Sequence, residues 1–474
     1  METRTIGIDL GIASAHTSCV VDASGKVICK RQTRPTLESL TDLESAALAG
    51  APPDTKLSIV MEPTGAAWLP VAVFFIRRGH LVYRVASSKA SDLRKFLIRH
   101  AKTNSIDALT LAKIPIIDQR ALIPLELDEG AAASLRRRVR AADRLRDQAS
   151  RHKTRIRELV RQMMPALDGA IAGELRMADV VVLERYADPR ILAKLPLSSL
   201  TRLIAKETGG GLAYAERKAQ GWISSAQSAM DLYGDDPAVP FADLAAEVAT
   251  EIALLHVIDA EMARHAAARE EAYLKVDPQE LARSLPGVGS LGGPAIVAAM
   301  ARPGRFPSAK SFRRYTGLAP KASETGNSDA KGQAMSKAGA SWLRDQLVMS
   351  ANVARKIDPE LAQIYYVHMV ERGAHHNKAV CIVASHLATR AWTTLGRGTP
   401  YVLRDVDGTP ITVAQGKAIV GERYEVTEEV RRRRRTKKVG KAPHESRKPR
   451  SGRGDLPRTS SFNPDQPTVK VLVS

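Results

Sequence analysis

Apolar and polar positions in the first 86 residues recur with two periods, one of two residues and one of three to four. Strands are predicted at 5–10, 16–21, 26–32, 57–61 and 81–86, where apolar and β-branched residues run together. Helices are predicted at 35–48 and 66–78, where apolar residues are three or four positions apart. The order β-β-β-α-β-α-β predicts a mixed sheet with helices on its faces.

Carboxylates stand at the ends of two of these strands. Asp9 closes the first strand and Glu62 follows the strand at 57–61, and ligands bind at this edge of open α/β sheets. A further helix begins near Asn104, which shares a helix face with Asp107, three residues on. Oxygen ligands of this kind predict a site for Mg²⁺ or Mn²⁺. The alternative is that Asp9 caps a turn and that the other two acids are ordinary surface residues.

Two long helices are predicted at about 130–165 and 241–275, because apolar residues recur in a pattern close to a heptad. We expect an antiparallel coiled-coil hairpin with a less regular helical insert at about 170–235. The outer positions of the first helix carry eleven Lys and Arg against three acids. A solvated helix normally mixes the two signs, so a nucleic-acid face is favoured over a merely solvated one. The candidate contacts are Arg136, Arg137, Arg140, Arg144, Arg151 and Arg155.

The composition changes again after residue 277. The sequence L-P-G-V-G before a small-residue helix predicts a helix-hairpin-helix, in which Gly287 and Gly289 would present backbone N–H groups to phosphate. A helix at 306–319 is followed by a polar loop with three hydroxyl groups among cations. A hydroxyl that attacks phosphate needs such cations to hold the scissile group. The candidate nucleophiles are Ser323, Thr325 and Ser328, and the candidate phosphate contacts are Lys331, Lys337 and Arg344.

Composition supports a nucleic-acid partner. The chain has 71 Lys and Arg against 51 Asp and Glu, a net charge of +20, and 44% hydrophobic residues, enough for real cores. Three scattered cysteines argue against a zinc site and suit a reducing compartment. There is no secretory signal pattern and no apolar run of membrane-spanning length. We therefore expect a cytoplasmic protein with no membrane partner. Thirteen Lys and Arg in 431–458 predict a disordered basic tail.

The segments G-I-D-L-G, M-E-P-T-G and K-T-N-S-I-D-A-L, with L-P-G-V-G, F-P-S-A-K-S-F-R-R-Y-T-G-L-A-P and M-S-K-A-G-A-S-W-L-R, together resemble bacterial transposases of insertion sequences 110, 116 and 902. The resemblance covers about residues 4–400 and implies a bacterial, nucleoid-associated protein. It implies a RuvC-like (RNase H fold) domain with a DEDD site, a C-terminal domain with a serine nucleophile, and guidance by an element-encoded structured RNA.

On this template Asp9 and Glu62 match the first two acids and Asp107 matches the last. The third position falls on Asn104, where the family usually has aspartate; its amide oxygen can bind Mg²⁺ but contributes no charge. The serine of the family usually stands before the glycine that is Gly326 here, and this chain has Thr325 in that place. Ser323 ranks marginally ahead of Thr325 and Ser328, because a primary hydroxyl attacks more readily.

The sequence therefore predicts a RuvC-like domain at 1–125, a basic coiled-coil domain at 126–277, a C-terminal transposase domain at 278–400 and a basic tail at 401–474. The predicted function is a DNA transposase or recombinase that cuts and rejoins DNA with Mg²⁺ and a hydroxyl nucleophile. Its predicted partners are DNA, a structured guide RNA and further copies of the chain. Two alternatives stay open: a metal-dependent junction nuclease that uses only the acidic site, and a catalytically decayed nucleic-acid-binding protein.

Overall fold

The computed structural model describes residues 3–97, 103–118, 122–167, 171, 173–234, 236, 238–321, 324–325, 328–329 and 334–435. An N-terminal mixed α/β region is followed by a mostly helical remainder, which confirms the predicted fold class at that level. No helix in these ranges is long and apolar enough to cross a membrane.

The N-terminal region contains one five-stranded sheet in the order β3-β2-β1-β4-β5. Strand β1 lies at its centre, antiparallel to β2 and parallel to β4, and β5 is parallel to β4. The strands are β1 Arg4–Asp9, β2 His16–Val21, β3 Val27–Thr33, β4 Leu57–Met61 and β5 Leu81–Arg84. The helices are α1 Leu37–Leu48, α2 Trp68–Arg77, α3 Ser87–Leu97 and α4 Asn104–Ile117.

Alternation along β1 assigns its two faces to two different cores. Ile6 and Ile8 are fully buried in a cluster formed with α1 and α2. Gly7 faces the other way, where Cys19 of β2 packs with Ala108 of α4. The sheet therefore separates a layer containing α1 and α2 from a layer containing α4.

Two long helices, α5 Gly130–Met163 and α10 Phe241–Val276, form the predicted helical hairpin. His152 of α5 pairs with Glu251 of α10, and Arg155, later in α5, pairs with Glu247, earlier in α10. The two helices are therefore antiparallel. Their far ends bury an apolar cluster with the helical insert between them. The insert contains α6 Met177–Tyr186, α7 Pro189–Leu192, α8 Leu197–Thr208 and α9 Leu212–Tyr233.

The C-terminal region is built around one apolar cluster that also includes Leu135 and Val139 from the start of α5. Its elements are α11 Gly292–Met300, a short 3₁₀ turn Pro303–Arg305, α12 Ala309–Thr316, β6 Glu324–Thr325, β7 Ser328–Asp329, α13 Ser341–Ala354, α14 Pro359–Tyr366 with a π turn Val367–Glu371, and α15 His376–Arg397. The helix predicted at 306–319 ends as expected, because Gly317 adopts a φ of 71° at its C-cap.

The prediction of a disordered tail from residue 401 is wrong for its first part. Two helices, α16 Val413–Arg423 and α17 Glu428–Arg435, continue the fold, and Val426 between them is buried in the C-terminal core. Tyr401 donates its hydroxyl to Asp358 and anchors the preceding segment. Residues 436–474, which contain most of the predicted basic tail, lie outside the described residues.

The L-P-G-V-G turn leads into α11, but the two glycines have different surroundings. A Cβ on Gly287, whose φ is 72°, would lie 2.4 Å from the carbonyl oxygen of Ser350 and 2.7 Å from the nitrogen of Ala354. This glycine is therefore required for close packing against α13. A Cβ on Gly289 would meet no atom within 4 Å, so packing does not require a glycine at this position.

Candidate functional site

The first two candidate acids stand side by side at one edge of the sheet. The parallel pairing of β1 with β4 matches Ile8 with Met61, and Asp9 and Glu62 are the next residues in that register. Adjacent strands are about 4.8 Å apart, so the two backbones that carry these acids are neighbours. Both side chains are half-buried.

Helix α4 lies directly over this edge because β1 has a glycine. A Cβ on Gly7 would lie 2.0 Å from the carbonyl oxygen of Ala108 and 2.3 Å from the nitrogen of Ala112. Asp9 follows Gly7 by two residues and therefore shares its face of the sheet. In β4, Val60 packs toward α4, and Glu62 is the next residue in the same alternation. Both acids are thus placed on the α4 side of the sheet.

The direction of α4 brings its first turn to the acids. Its C-terminal end lies near the β2–β3 turn, where Ile116 Cδ1 is 3.5 Å from the position of a Cβ on Gly25. That turn lies at the opposite end of β1 from Asp9. Asn104 and Asp107, in the first turn of α4, are therefore at the Asp9 end. The side chain of Thr103 caps the helix by accepting the N–H of Ile106 at 3.2 Å.

Asp107 has a cationic partner that the sequence did not indicate. Arg94 Nε of α3 lies 3.1 Å from Asp107 Oδ1, and both side chains are largely shielded from solvent. In the described part of the chain, no group of three or more His, Cys, Asp or Glu side chains is arranged to hold a metal ion. The fold therefore brings the four predicted residues to one corner, while the side chains as they stand do not form a closed ligand set.

The donor types at this corner fit a hard divalent cation. Three carboxylates and one amide supply only oxygen, which is the ligand set that Mg²⁺ and Mn²⁺ prefer over softer metals. Release of Asp107 from Arg94 would make its carboxylate available, so the residues fit a divalent ion in kind and in location.

His16 supports the loop that follows Asp9. Its Nδ1 accepts the backbone N–H of Gly11 at 3.2 Å, while Nε2 is buried without a hydrogen-bond partner among the described residues. Burial lowers the pKa of His16 below its ordinary value, and the bond from Gly11 only partly opposes this. The neutral imidazole is therefore the form that the fold accommodates.

Two of the candidate nucleophiles, Thr325 and Ser328, lie on paired β-strands rather than in an irregular loop. Lys337 N donates to Gly317 O, Ser336 N to Ala319 O and Lys321 N to Ala334 O, with distances from 2.9 to 3.1 Å. Farther along, Thr325 pairs with Ser328 through the backbones of β6 and β7. Ser323 and Lys331 lie outside the described residues.

Arg344 holds the base of this hairpin together. Its Nη1 lies 3.3 Å from both Thr316 O and Lys337 O, and so bonds the two strands at their start. Gly339 permits the close approach, since a Cβ there would lie 2.2 Å from Tyr315 O. Arg344 was predicted to contact phosphate, and the structure places at least one of its N–H groups on protein carbonyls instead.

The candidate arginines of α5 divide into two groups. Arg136 donates to Asp128 and to the Tyr315 hydroxyl, and Arg155 pairs with Glu247, so these two are engaged within the protein. The remaining four are exposed on the outer face of α5: Arg137, Arg140, Arg144 and Arg151. Three of these are spaced by seven residues, which places them along one line over about 21 Å of helix.

Both regions that carry the candidate residues match models of known protein families. A transposase family model of the DEDD IS110 type matches residues 6–165, which include all four residues at the sheet edge. A second model, described as the transposase IS116/IS110/IS902 family, matches residues 279–366, which include the hairpin. The chain is also similar to the insertion element IS110 uncharacterized 43.6 kDa protein of Streptomyces coelicolor. The two are 27% identical over 405 residues, which cover 84% of this chain and 95% of that protein.

The two family matches fall on the two parts of the fold that carry the candidate catalytic residues. The alignment with the relative covers nearly the full length of that protein. A DEDD domain indicates dependence on a divalent metal, and transposition requires DNA as the partner. The chain therefore belongs to the IS116/IS110/IS902 family of transposases, enzymes that act on DNA.

Proposed function

We propose that Asp9, Glu62, Asn104 and Asp107 hold Mg²⁺ or Mn²⁺ at the edge of a RuvC-like sheet. The shared face of Asp9 and Glu62 and the first turn of α4 above them support this proposal. A divalent ion bound there would polarise the scissile phosphate and offset its developing charge. The protein supplies a fixed strand edge and a helix positioned by Gly7, which keep the ligand backbones in place.

The hydroxyl nucleophile is assigned to the hairpin at 317–337, with Ser323 ranked ahead of Thr325 and Ser328. Its oxygen forms a bond to phosphorus, and a bridging deoxyribose oxygen leaves and takes up a proton. The hydroxyl proton passes to water. Attack of a second DNA end on this phosphodiester reverses the chemistry and rejoins the strands. Lys331 and Lys337 would hold the phosphate during the transfer.

Nucleic acid along the helical hairpin completes the proposal. The exposed line of Arg137, Arg144 and Arg151 is suited to phosphate contacts and carries no base readout of its own. A structured guide RNA is the polyanion that we assign to this surface, while the DNA strands occupy the two chemical sites. A homo-oligomer would let the acidic site and the hairpin of different copies act on one DNA.

The placement of the four metal-binding candidates at one corner is the observation that carries this function. The test is recombination in cells between element ends and target DNA, with the flanking noncoding DNA supplied. Asp9→Asn and Ser323→Ala should each lower recombination at least about 1000-fold, because each removes a group that acts directly on the reacting phosphate. Thr325→Ala and Ser328→Ala are tested beside them to identify the nucleophile.

Ser199→Ala provides a matched control, since Ser199 is an exposed hydroxyl on α8, far along the chain from the hairpin. This variant should recombine as the unmodified protein does. Denaturing gels of trapped reactions add a second readout, because a hydroxyl nucleophile leaves the protein covalently attached to DNA. Cleavage without any attached protein, or full activity in all three hydroxyl variants, would contradict the assignment and favour the junction nuclease.

A further inference from the structure

A second charged centre lies at the same end of the sheet as the acids, two strands away from Asp9. The pairing of β4 with β5 places Arg84 opposite Met61, which is itself opposite Ile8. Arg84 is therefore at the carboxyl end of β5, about 10 Å across the sheet from β1. Its guanidinium carbon lies 4.0 Å from the centre of the Trp68 ring, which holds the side chain in one orientation.

Two more arginines approach this place from other parts of the chain. Arg136, at the start of α5, donates to Asp128 at 2.5 Å and to the Tyr315 hydroxyl at 3.2 Å. Arg305, in the turn before α12, has its Nη1 4.0 Å from Asp128 and its guanidinium carbon 5.4 Å from the centre of the Tyr315 ring. Arg84, Arg136 and Arg305 are called the arginine cluster below.

The arginine cluster has more positive charge than its neighbours neutralise. Asp128 is shared between Arg136 and Arg305, and the nearby Arg302 already has Glu126 as its partner. Within the described residues, Arg84 has no carboxylate partner, and its electrostatic neighbours are Arg136 and the Tyr315 hydroxyl. Such an excess of guanidinium groups is unfavourable without an anion and is typical of phosphate recognition.

The three arginines differ in their electrostatics. Burial lowers the pKa of Arg136, but Tyr315 and Asp128 together outweigh it and raise that pKa, so the unrelieved repulsion falls on Arg84 and Arg305. Burial lowers the pKa of Arg84, and repulsion by Arg136 lowers it further. The pKa of Arg305 is lowered by the same two causes in the same order, with Tyr315 and Asp128 opposing them. An anion placed among the three guanidinium groups would remove this repulsion. A simple ion-pair network between domains would instead show matched numbers of acids and bases.

We propose that the arginine cluster binds the phosphodiester backbone of the DNA strand that reacts at the acidic edge. Arg84 and Arg305 would bind the phosphate oxygens through paired N–H groups, with the Tyr315 hydroxyl as a further donor. These residues touch DNA at a phosphate away from the reacting one and are therefore positioning residues. The identification of the bound polyanion as DNA rests on the proposed function of the acidic edge. The affinity of the arginine cluster for phosphate is independent of that function.

Salt dependence of binding tests this proposal without catalysis. Each lost phosphate contact reduces the slope of log Kd against log salt by about 0.9 for duplex DNA. The probe is a random-sequence duplex of about 30 base pairs in buffer with a chelator, since phosphate contacts are independent of sequence. Arg84→Gln and Arg305→Gln should each reduce the slope by about 0.9 and weaken binding several-fold at low salt. Arg84→Lys should keep the slope.

Arg31→Gln is the matched control, because Arg31 is an exposed arginine of the same sheet on its opposite edge strand, β3. It removes the same charge and should leave the slope unchanged. Arg305→Gln also loses the bond from its Nη1 to the carbonyl oxygen of Ala299, and Arg84→Gln loses the contact with the Trp68 ring, so thermal unfolding is used to show that both variants are folded at the assay temperature. Unchanged slopes in both folded variants would overturn the proposal. The acidic site is tested separately, since Asp9→Asn should abolish recombination and leave this salt slope intact.

Discussion

Replacement of Gly7 by alanine is the sharpest test of how the acidic corner is built. The new Cβ would lie 2.0 Å from Ala108 O and 2.3 Å from Ala112 N, both of which are backbone atoms. Real Cβ contacts stay above 3.0 Å, so α4 has to withdraw by at least about 1 Å. No side-chain rotation relieves this contact, because helix backbone and strand backbone meet directly.

The expected loss of stability follows from overpacking, which costs about 1–3 kcal/mol in a well-packed core. For a domain of this size, that corresponds to a fall in Tm of about 5–15 °C. The effect on function should be larger. A displacement of 1 Å in a catalytic group costs about 100-fold in rate, and metal–ligand distances tolerate only about 0.2 Å. Gly7→Ala should therefore bind Mn²⁺ weakly even at temperatures where it is fully folded.

Thermal unfolding followed by circular dichroism measures the first effect, and titration calorimetry with Mn²⁺ measures the second. Gly396→Ala serves as the control, because a Cβ at Gly396 in α15 would meet no atom within 4 Å. Alanine there should be neutral or stabilise by up to about 1 kcal/mol through the helix backbone. If Gly7→Ala retained both the Tm and the Mn²⁺ affinity of the unmodified protein, the close packing of α4 on β1 would be refuted.

Three further predictions concern the same corner. Arg94→Gln should free Asp107 and raise Mn²⁺ affinity by calorimetry about threefold to tenfold, and an unchanged affinity would show that the ion pair does not compete. Asn104→Asp adds a fourth carboxylate and should tighten binding about tenfold; a rise of recombination from near zero would instead identify a decayed enzyme. Burial lowers the pKa of His16, so the unfolded chain binds a proton that the native state excludes, and stability should fall below about pH 6.5. Urea unfolding from about pH 7 to 5 should show a shallower fall for His16→Gln.

The sheet and the long helices could be predicted because their signals are local. Alternating Ile6 and Ile8 identify a strand, and the hydroxyl of Thr36 caps α1 by accepting the N–H of Ser39, three residues on. The turn at Asp22 to Gly25 forms with Gly25 at a φ of 86°. In each case neighbouring residues carry enough information, because the interaction spans no more than a few positions.

The charge partners could not be predicted, because each joins distant segments through long side chains. Nothing near Asp107 indicates that Arg94 will fold back onto it, and nothing near Arg84 indicates Arg136 or Arg305. The sequence predicts that the basic residues of α5 form one nucleic-acid-binding surface. The structure separates them, because Arg136 faces Asp128 at a junction between domains while others face solvent.

Glycine positions were the most ambiguous signals in the sequence. The sequence predicts that Gly287 contacts phosphate, and its surroundings add a second reason for a glycine, which is close packing against α13. Gly7 lies within a predicted strand, where the sequence indicates no special role for it. In the structure it determines how closely α4 approaches β1. A glycine that allows two backbones to pack closely cannot be recognised from its neighbours in the sequence, since the second backbone is far away in the chain. Helices α16 and α17 were missed for a related reason, because they are stabilised by docking of residues such as Val426 on the core.

The arginine cluster gives a physical reason why the acidic edge and the hairpin can act on one DNA strand. Tyr315 receives a hydrogen bond from Arg136, and its own carbonyl accepts the N–H of Ala340 at the base of the hairpin. Arg84 in turn lies at the edge of the sheet that carries Asp9. Arg305 also lies over the ring of Tyr315, so a phosphate bound by Arg84 and Arg305 would be linked by short contacts to both chemical sites. The DNA backbone, and not direct contact between the sites, is then what aligns them, so losing either arginine should weaken recombination even with both sites intact.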